Sequence, residues 1–155
     1  MSSSLPDGFL VKHVAQDDVS AINALVVAAD EAVMGWSDST EPDLLDWWRL
    51  VDLEHDSWFV EGDSPAAYGV LFPHGEIAEL DCYVHPSYKG RGLGRWLLEQ
   101  RVRASLALLE TTDSSIETVA GSVGFASAAT FRHHFAAIMH TSPTAYRRAF
   151  YAASA

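Results

Sequence analysis

The run Val84-His85-Pro86-Ser87-Tyr88-Lys89-Gly90-Arg91-Gly92-Leu93-Gly94-Arg95 constrains this chain more than any other stretch. An apolar run ends at a proline, and from Leu93 onward apolar residues return at helical spacing. A strand must therefore pass into a helix through a glycine-rich loop. Glycines allow positive φ and a close approach of backbone to ligand. A helix start offers unpaired N–H groups and a partial positive charge, so pyrophosphate is the guest that suits such a loop. Lys89, Arg91 and Arg95 add positive charge there. The other reading is a tight strand-to-helix turn that holds nothing.

Upstream, Phe9 to Val14 alternates apolar and polar residues as a half-buried strand does. Asp17 or Asp18 is placed to cap a helix that carries Ile22, Leu25, Val26, Ala29 and Val33 on one face. A second helix is expected around Pro42 to Val51, with Leu44, Leu45, Trp47 and Trp48. Ser57 to Glu61, Ala66 to Phe72 and Ile77 to Val84 read as strands. They are separated by turns at Gly62-Asp63-Ser64-Pro65 and Pro73-His74-Gly75. The element order before the loop is thus β-α-α-β-β-β.

Downstream, the helix from Leu93 to about Leu109 changes its apolar face partway. Leu93, Trp96 and Leu97 form one stripe, and Leu98, Val102, Ser105, Leu106 and Leu109 form another. Such a helix has two packing partners, with the junction near Leu98 to Arg103. Asp113 or Ser114 is placed to cap a helix from Ile116 to Val123 that Gly124 closes. Ser127 caps a further one to about His140, and Ser142-Pro143 opens the last, to about Phe150. The fold class expected is α+β: a mixed or antiparallel sheet with helices, then an all-α segment that shares the junction helix.

The loop resembles that of GNAT-type N-acetyltransferases, whose motif is Arg/Gln-x-x-Gly-x-Gly/Ala. Lys89-Gly90-Arg91-Gly92-Leu93-Gly94 matches it, with Lys89 in place of Arg or Gln. The likeness covers about residues 8–100, element order included. It implies acetyl-CoA as cofactor, with the backbone at Cys82, Tyr83 and Val84 along the pantetheine arm. Lys89, Gly90, Arg91, Gly92, Leu93, Gly94 and Arg95 would hold the pyrophosphate. In that family a carboxylate on the fourth strand often deprotonates the attacking amine. Glu79 and Asp81, two apart and so on one sheet face, are the candidates, Glu79 favoured, unless both are surface acids. His74, His85 and Cys82 read as turn or core residues. The GNAT-like sheet is incomplete: a fifth strand, a fourth helix and two more strands are not recognisable after Glu99.

From about residue 101 the pattern changes. Ser115-Ile116-Glu117, Val119-Ala120, Val123-Gly124-Phe125, Ser127 to Phe131, Phe135, Ser142-Pro143 and Tyr146-Arg147-Arg148 resemble the second helix-turn-helix of AraC/XylS-type regulators. Arg101 to Leu109 resembles their linker helix. The likeness implies that Ala128, Ala129, Thr130, Arg132 and His133 face a major groove while Arg147 and Arg148 meet phosphate. The expected division is residues 1–100, GNAT-like, and 101–155, helix-turn-helix.

Charge follows that division. Residues 1–100 hold 18 acids against five bases, a net of −13, whereas 101–155 carry +2. An acidic body favours a cationic substrate and repels DNA phosphate. With a single helix-turn-helix, weak DNA binding is the expectation. One cysteine, a polar start from Met1 to Pro6 and no apolar run of about 18 residues point to a cytoplasmic protein without a membrane span. No metal site is expected. An exposed edge on the truncated sheet points to a homo-oligomer. The leading function is acetyl transfer to the primary amine of a small molecule or peptide. A DNA-binding regulator with a GNAT-like sensor or dimerisation half stays open, as do a CoA-binding inactive hybrid and a recombined or constructed chimera.

Overall fold

The computed structural model describes residues 4–74 and 77–155. Strand β1 (Leu10–Lys12) is followed by helices α1 (Val19–Met34), α2 (Glu41–Trp48) and α3 (Leu53–Asp56). Strands β2 (Ser57–Glu61), β3 (Pro65–His74) and β4 (Ile77–Val84) come next. Then come α4 (Leu93–Thr111), α5 (Ile116–Ser122), α6 (Ala128–Met139) and α7 (Pro143–Ser154). The strands form one antiparallel sheet in the order β1-β2-β3-β4, so β4 lies at an edge. Leu10 pairs with Glu61 and Ser57 with Val70, with an irregularity in the β2–β3 register between Val60 and Glu61. Among the described residues no strand follows Val84. The architecture is the expected α+β one, and its sheet stops where the sequence pattern stops. The expected turn at Pro73-His74-Gly75 falls partly outside the described residues, as does the side chain of His74.

Two compact units divide the chain: residues 1–72 with 81–97, and residues 73–80 with 98–155. The first has two clusters of buried side chains. One joins Ile22, Leu25 and Val26 of α1 to Trp48, Phe59, Tyr68 and Val70. The other joins Phe9, Val60, Tyr88, Leu93, Trp96 and Leu97. In the second unit Val102 and Leu109 meet Val119, Phe125, Phe131 and Phe135. Helix α4 thus feeds a sheet core from its first turns and a helical core from its later ones, as the shift in its apolar stripe requires.

Some helix starts differ from expectation. Asp18 stands at the N-cap of α1, but its carboxylate accepts from the Ala15 N–H at 2.9 Å and meets Lys12 Nζ at 2.8 Å, closing a short 3-10 turn, Gln16–Asp18, instead. Neither Asp113 nor Ser114 caps α5. Ser115 does, its Oγ accepting from the Thr118 N–H at 3.0 Å, because Ser115 directly precedes the first buried residue, Ile116. Ser127 and Ser142 cap α6 and α7 as expected. Helix α2 ends at Trp48, short of Val51, and α3 was not foreseen.

Candidate functional site

After β4 the chain turns through a 3-10 segment at Pro86–Tyr88. Gly90 then takes φ +77° and Gly92 φ +88°, conformations that suit glycine. Gly92 supplies the carbonyl that accepts from the Trp96 N–H at 3.0 Å. It therefore occupies the cap position of α4 with no side chain to offer. A methyl group added at Gly90 or Gly94 would meet nothing within 4 Å. Lys89, Arg91 and Arg95 are exposed around this loop. The Arg91 guanidinium lies 4.5 Å from the centre of the Phe9 ring and 5.6 Å from that of Tyr88, which fixes its charge at the loop. Leu93 is 1% exposed, so only its backbone is available to a ligand. Open space above glycines at a helix start fits a diphosphate, and the outer edge of β4 at Cys82, Tyr83 and Val84 fits an extended arm.

A recess lined by Cys82, Tyr83, Val84 and Lys89 runs beside this loop and also touches Asp30. Asp30 and Tyr83 in turn line a separate cavity of about 170 Å³, together with Asp38, Asp43 and Asp81. Its other walls include Trp47, Tyr68 and Phe72. The Tyr83 and Tyr68 rings stack at 6.2 Å and 13°. Burial first, and then the neighbouring carboxylate of Asp81, push the Tyr83 hydroxyl pKa up to about 12 and that of Tyr68 higher still. Of the two sequence candidates for a base, Asp81 lines this cavity. Glu79 is exposed and lines a different recess with Glu117, Phe125 and Ser127. Asp30, Asp38, Asp43 and Tyr68 were not singled out in the sequence. Asp30 carried a signal, since it lies four residues after Val26 and so shares the apolar face of α1.

In the helical unit, Ala129, Thr130, Arg132 and His133 are exposed on α6, whereas Ala128 is half-buried against the core. Arg132 Nη2 donates to Glu117 Oε1 at 2.6 Å, and that bond lowers the Glu117 pKa. Arg147, expected to meet phosphate, is half-buried, and its Nε donates to the Leu109 carbonyl at 3.2 Å. Arg148 is exposed. Arg101 donates to the carbonyls of Val123 and Gly124 and lies over the Phe125 ring. Gly124 has φ +79°, and a Cβ there would stand 3.1 Å from Leu80 backbone nitrogen. Among the described residues no cluster of His, Cys, Asp and Glu could hold a metal ion, and no helix is long and apolar enough to cross a membrane.

Comparison with known proteins separates the same two parts. A family model described as a helix-turn-helix domain matches residues 87–149. The GCN5-related N-acetyltransferase from Sphaerobacter thermophilus is 30% identical over 62% of this chain and 31% of its own, with a TM-score of 0.58. YncA from Salmonella typhimurium, solved with its cofactor acetyl-CoA, is 19% identical over 63% of this chain and 62% of its own, at 0.52. The DNA-binding domain of the transcriptional factor AdpA, solved with target DNA, is 44% identical over 43% of this chain and 60% of its own, at 0.39. A search of curated proteins finds no match. The chain spans about a third of the Sphaerobacter protein and under two thirds of the other two. The front part has the fold of GNAT acetyltransferases, and residues 87–149 match a helix-turn-helix domain.

Proposed function

We propose that the chain binds acetyl-CoA and transfers its acetyl group to a primary amine of a small molecule or peptide. The observation that carries this reading is the continuity from loop to cavity: Lys89, Val84 and Cys82 line one recess, and Asp30 and Tyr83 line both that recess and the acidic cavity. Gly90 to Arg95 hold the diphosphate by backbone N–H groups and charge, and Cys82 to Val84 present their strand edge to the arm. When bound, the cofactor supplies an acetyl thioester, so the amine nitrogen gains the acetyl carbon, the C–S bond breaks, and the released thiol carries a proton. Asp81 accepts the proton that the entering ammonium must lose. Residues 1–100 form the transferase part and 101–155 the helix-turn-helix part. The protein works in the cytoplasm as a homo-oligomer, with exposed Trp36 on the contact surface.

The test is acetyl-CoA binding by calorimetry, run beside acetyl transfer to a panel of amines. Binding with transfer supports the reading, and no heat at millimolar cofactor overturns it. A second reading has its own observation: four of the five candidate groove-facing residues are exposed on one helix face. On that reading Ala129, Thr130, Arg132 and His133, with Ala128 partly covered, read DNA, and the front part serves as sensor or dimerisation platform. Selection from a random DNA pool decides it, an enriched motif favouring the regulator. Failure in both assays would mark a chimera without activity.

A further inference from the structure

The glycine loop is open at its two ends and covered in its middle. A Cβ added at Gly90 or Gly94 would meet nothing within 4 Å, whereas one at Gly92 would lie 3.5 Å from Pro6 Cγ. The Pro6 ring thus takes the space that the missing side chain of Gly92 leaves. Pro6 belongs to the short segment 4–8 that precedes β1. Leu5, next to it, is half-buried and packs against the cluster that contains Leu93 and Trp96, at the start of α4. Pro6 is half-buried too, whereas Ser4, Asp7 and Gly8 are exposed. Deep anchoring begins only at Phe9, which is 7% exposed and meets the Tyr88 ring edge-on at 5.5 Å.

How this segment is held matters as much as where it lies. Among the described residues no hydrogen bond or ion pair ties residues 4–8 to the loop or to the sheet. Two half-buried apolar side chains keep it down. Gly8 joins it to β1 at φ +87°, and a Cβ there would meet nothing within 4 Å, so the joint has room to turn. A segment with few apolar contacts, no directional bond and a free joint opens at small cost. Asp7 gives the segment a carboxylate, directly after the residue that covers Gly92. A wall built to hold a diphosphate would carry the opposite charge, whereas a cover that competes with one gains from repelling it.

We propose that residues 4–8 form a strap that closes the diphosphate seat at Gly92 and lifts about Gly8 when the cofactor enters. Lifting exposes Leu5 and Pro6, and that cost is subtracted from the affinity for the cofactor. The strap is an autoinhibitory contact within the front unit. It deepens the acetyl-CoA reading, and rests on it for the identity of the ligand.

The test is acetyl-CoA binding to the full chain, by calorimetry and stopped flow, in wild type, Leu5→Asn and Pro6→Gly. Without its apolar hold the strap stays up, so Leu5→Asn should bind about fivefold more tightly and Pro6→Gly about threefold. The gain should lie in faster association with dissociation unchanged, because the strap is up in every complex. A merely structural loss would not move the association rate in that direction. Should Leu5→Asn fail to melt cooperatively, Pro6→Gly decides alone, since Pro6 belongs to neither buried cluster of this unit. Equal affinity in wild type and Pro6→Gly would overturn the strap and leave the acetyl-CoA reading standing. Weaker binding by Pro6→Gly would also overturn it and make Pro6 a wall of the site. So would a gain confined to slower dissociation. No binding by wild type or either variant at millimolar acetyl-CoA would overturn the cofactor reading, and the strap with it.

Discussion

The two parts of the chain use their charge in opposite ways. In the front unit Asp30, Asp38 and Asp43 line a cavity, and no lysine or arginine among the described residues pairs with them. In the helical unit three of the five arginines are engaged by their own fold: Arg101 with two carbonyls and a ring, Arg132 with Glu117, Arg147 with the Leu109 carbonyl. Charge that the fold leaves uncompensated is available to a guest, whereas charge already bonded within the chain must be detached first. By that criterion the front unit is prepared for a ligand. The tail has kept the groups that assemble a helix-turn-helix more fully than the groups that would grip DNA.

The largest effect that can break this comparison lies in the tail. Gly124→Ala places a Cβ at φ +79° and 3.1 Å from Leu80 backbone nitrogen, where neither strain nor contact is easily relieved. Left-handed backbone and overpacking together should cost about 2–4 kcal/mol. Urea unfolding would register this as a lower midpoint, and an unchanged midpoint would mean the turn is looser than drawn here. On the front side the matching test is Gly92→Val, at φ +88°. Acetyl-CoA at about 100 times its dissociation constant should stabilise the wild type by about 2.7 kcal/mol, and the variant should lose that gain. A variant that keeps the shift would separate cofactor binding from this loop.

Which features were legible in the sequence follows from how local their causes are. The loop from Val84 to Arg95 was readable because strand, proline, glycines and helix follow one another within it. The double duty of α4 was readable because Leu97 and Val102 lie on different faces of one continuous helix. The start of α5 was misassigned because Asp113, Ser114 and Ser115 can all cap, and only the placement of Ile116 in the core decides among them. The cavity was not readable. Its carboxylates come from α1, from the segment after it, from the first turn of α2 and from β4, and no spacing marks these four among the 18 acids of residues 1–100. The adjacent Trp47 and Trp48 looked equivalent, yet Trp48 is 3% exposed and bonded to Tyr68 whereas Trp47 is 51% exposed at the cavity. Tertiary placement, not pattern, assigns them different work.

A smaller effect sharpens the account of the cavity. With the Tyr83 hydroxyl raised from about 10 to about 12, the unfolded chain releases that proton first as pH rises. Stability from this group is intact below pH 10 and falls as pH climbs towards 12. Tyr83→Phe should flatten that alkaline decline in unfolding measured against pH. An unchanged slope would show that Tyr83 titrates normally and is not shielded by the cavity wall.

The smallest expected effect tests the tail's side of the comparison. If Arg132 is held by Glu117, then Glu117→Gln removes the anion while keeping the side chain's size, and the guanidinium becomes available to phosphate or a base edge. The pair is exposed, so folding stability should hardly change. Non-specific DNA affinity, expected near ~10⁻⁴–10⁻⁶ M for the wild type, should strengthen, and the slope of log affinity against log salt should steepen by about 1. Arg132→Ala should remove that gain in the Glu117→Gln background. Arg148→Ala should weaken every sequence alike, and Arg147→Ala should act on stability through the lost bond to Leu109. Fluorescence anisotropy on a short duplex across a salt series reads all of these. An unchanged slope in Glu117→Gln would show that Arg132 does not contact DNA even when released, and the helix-turn-helix would then stand as a packing unit alone.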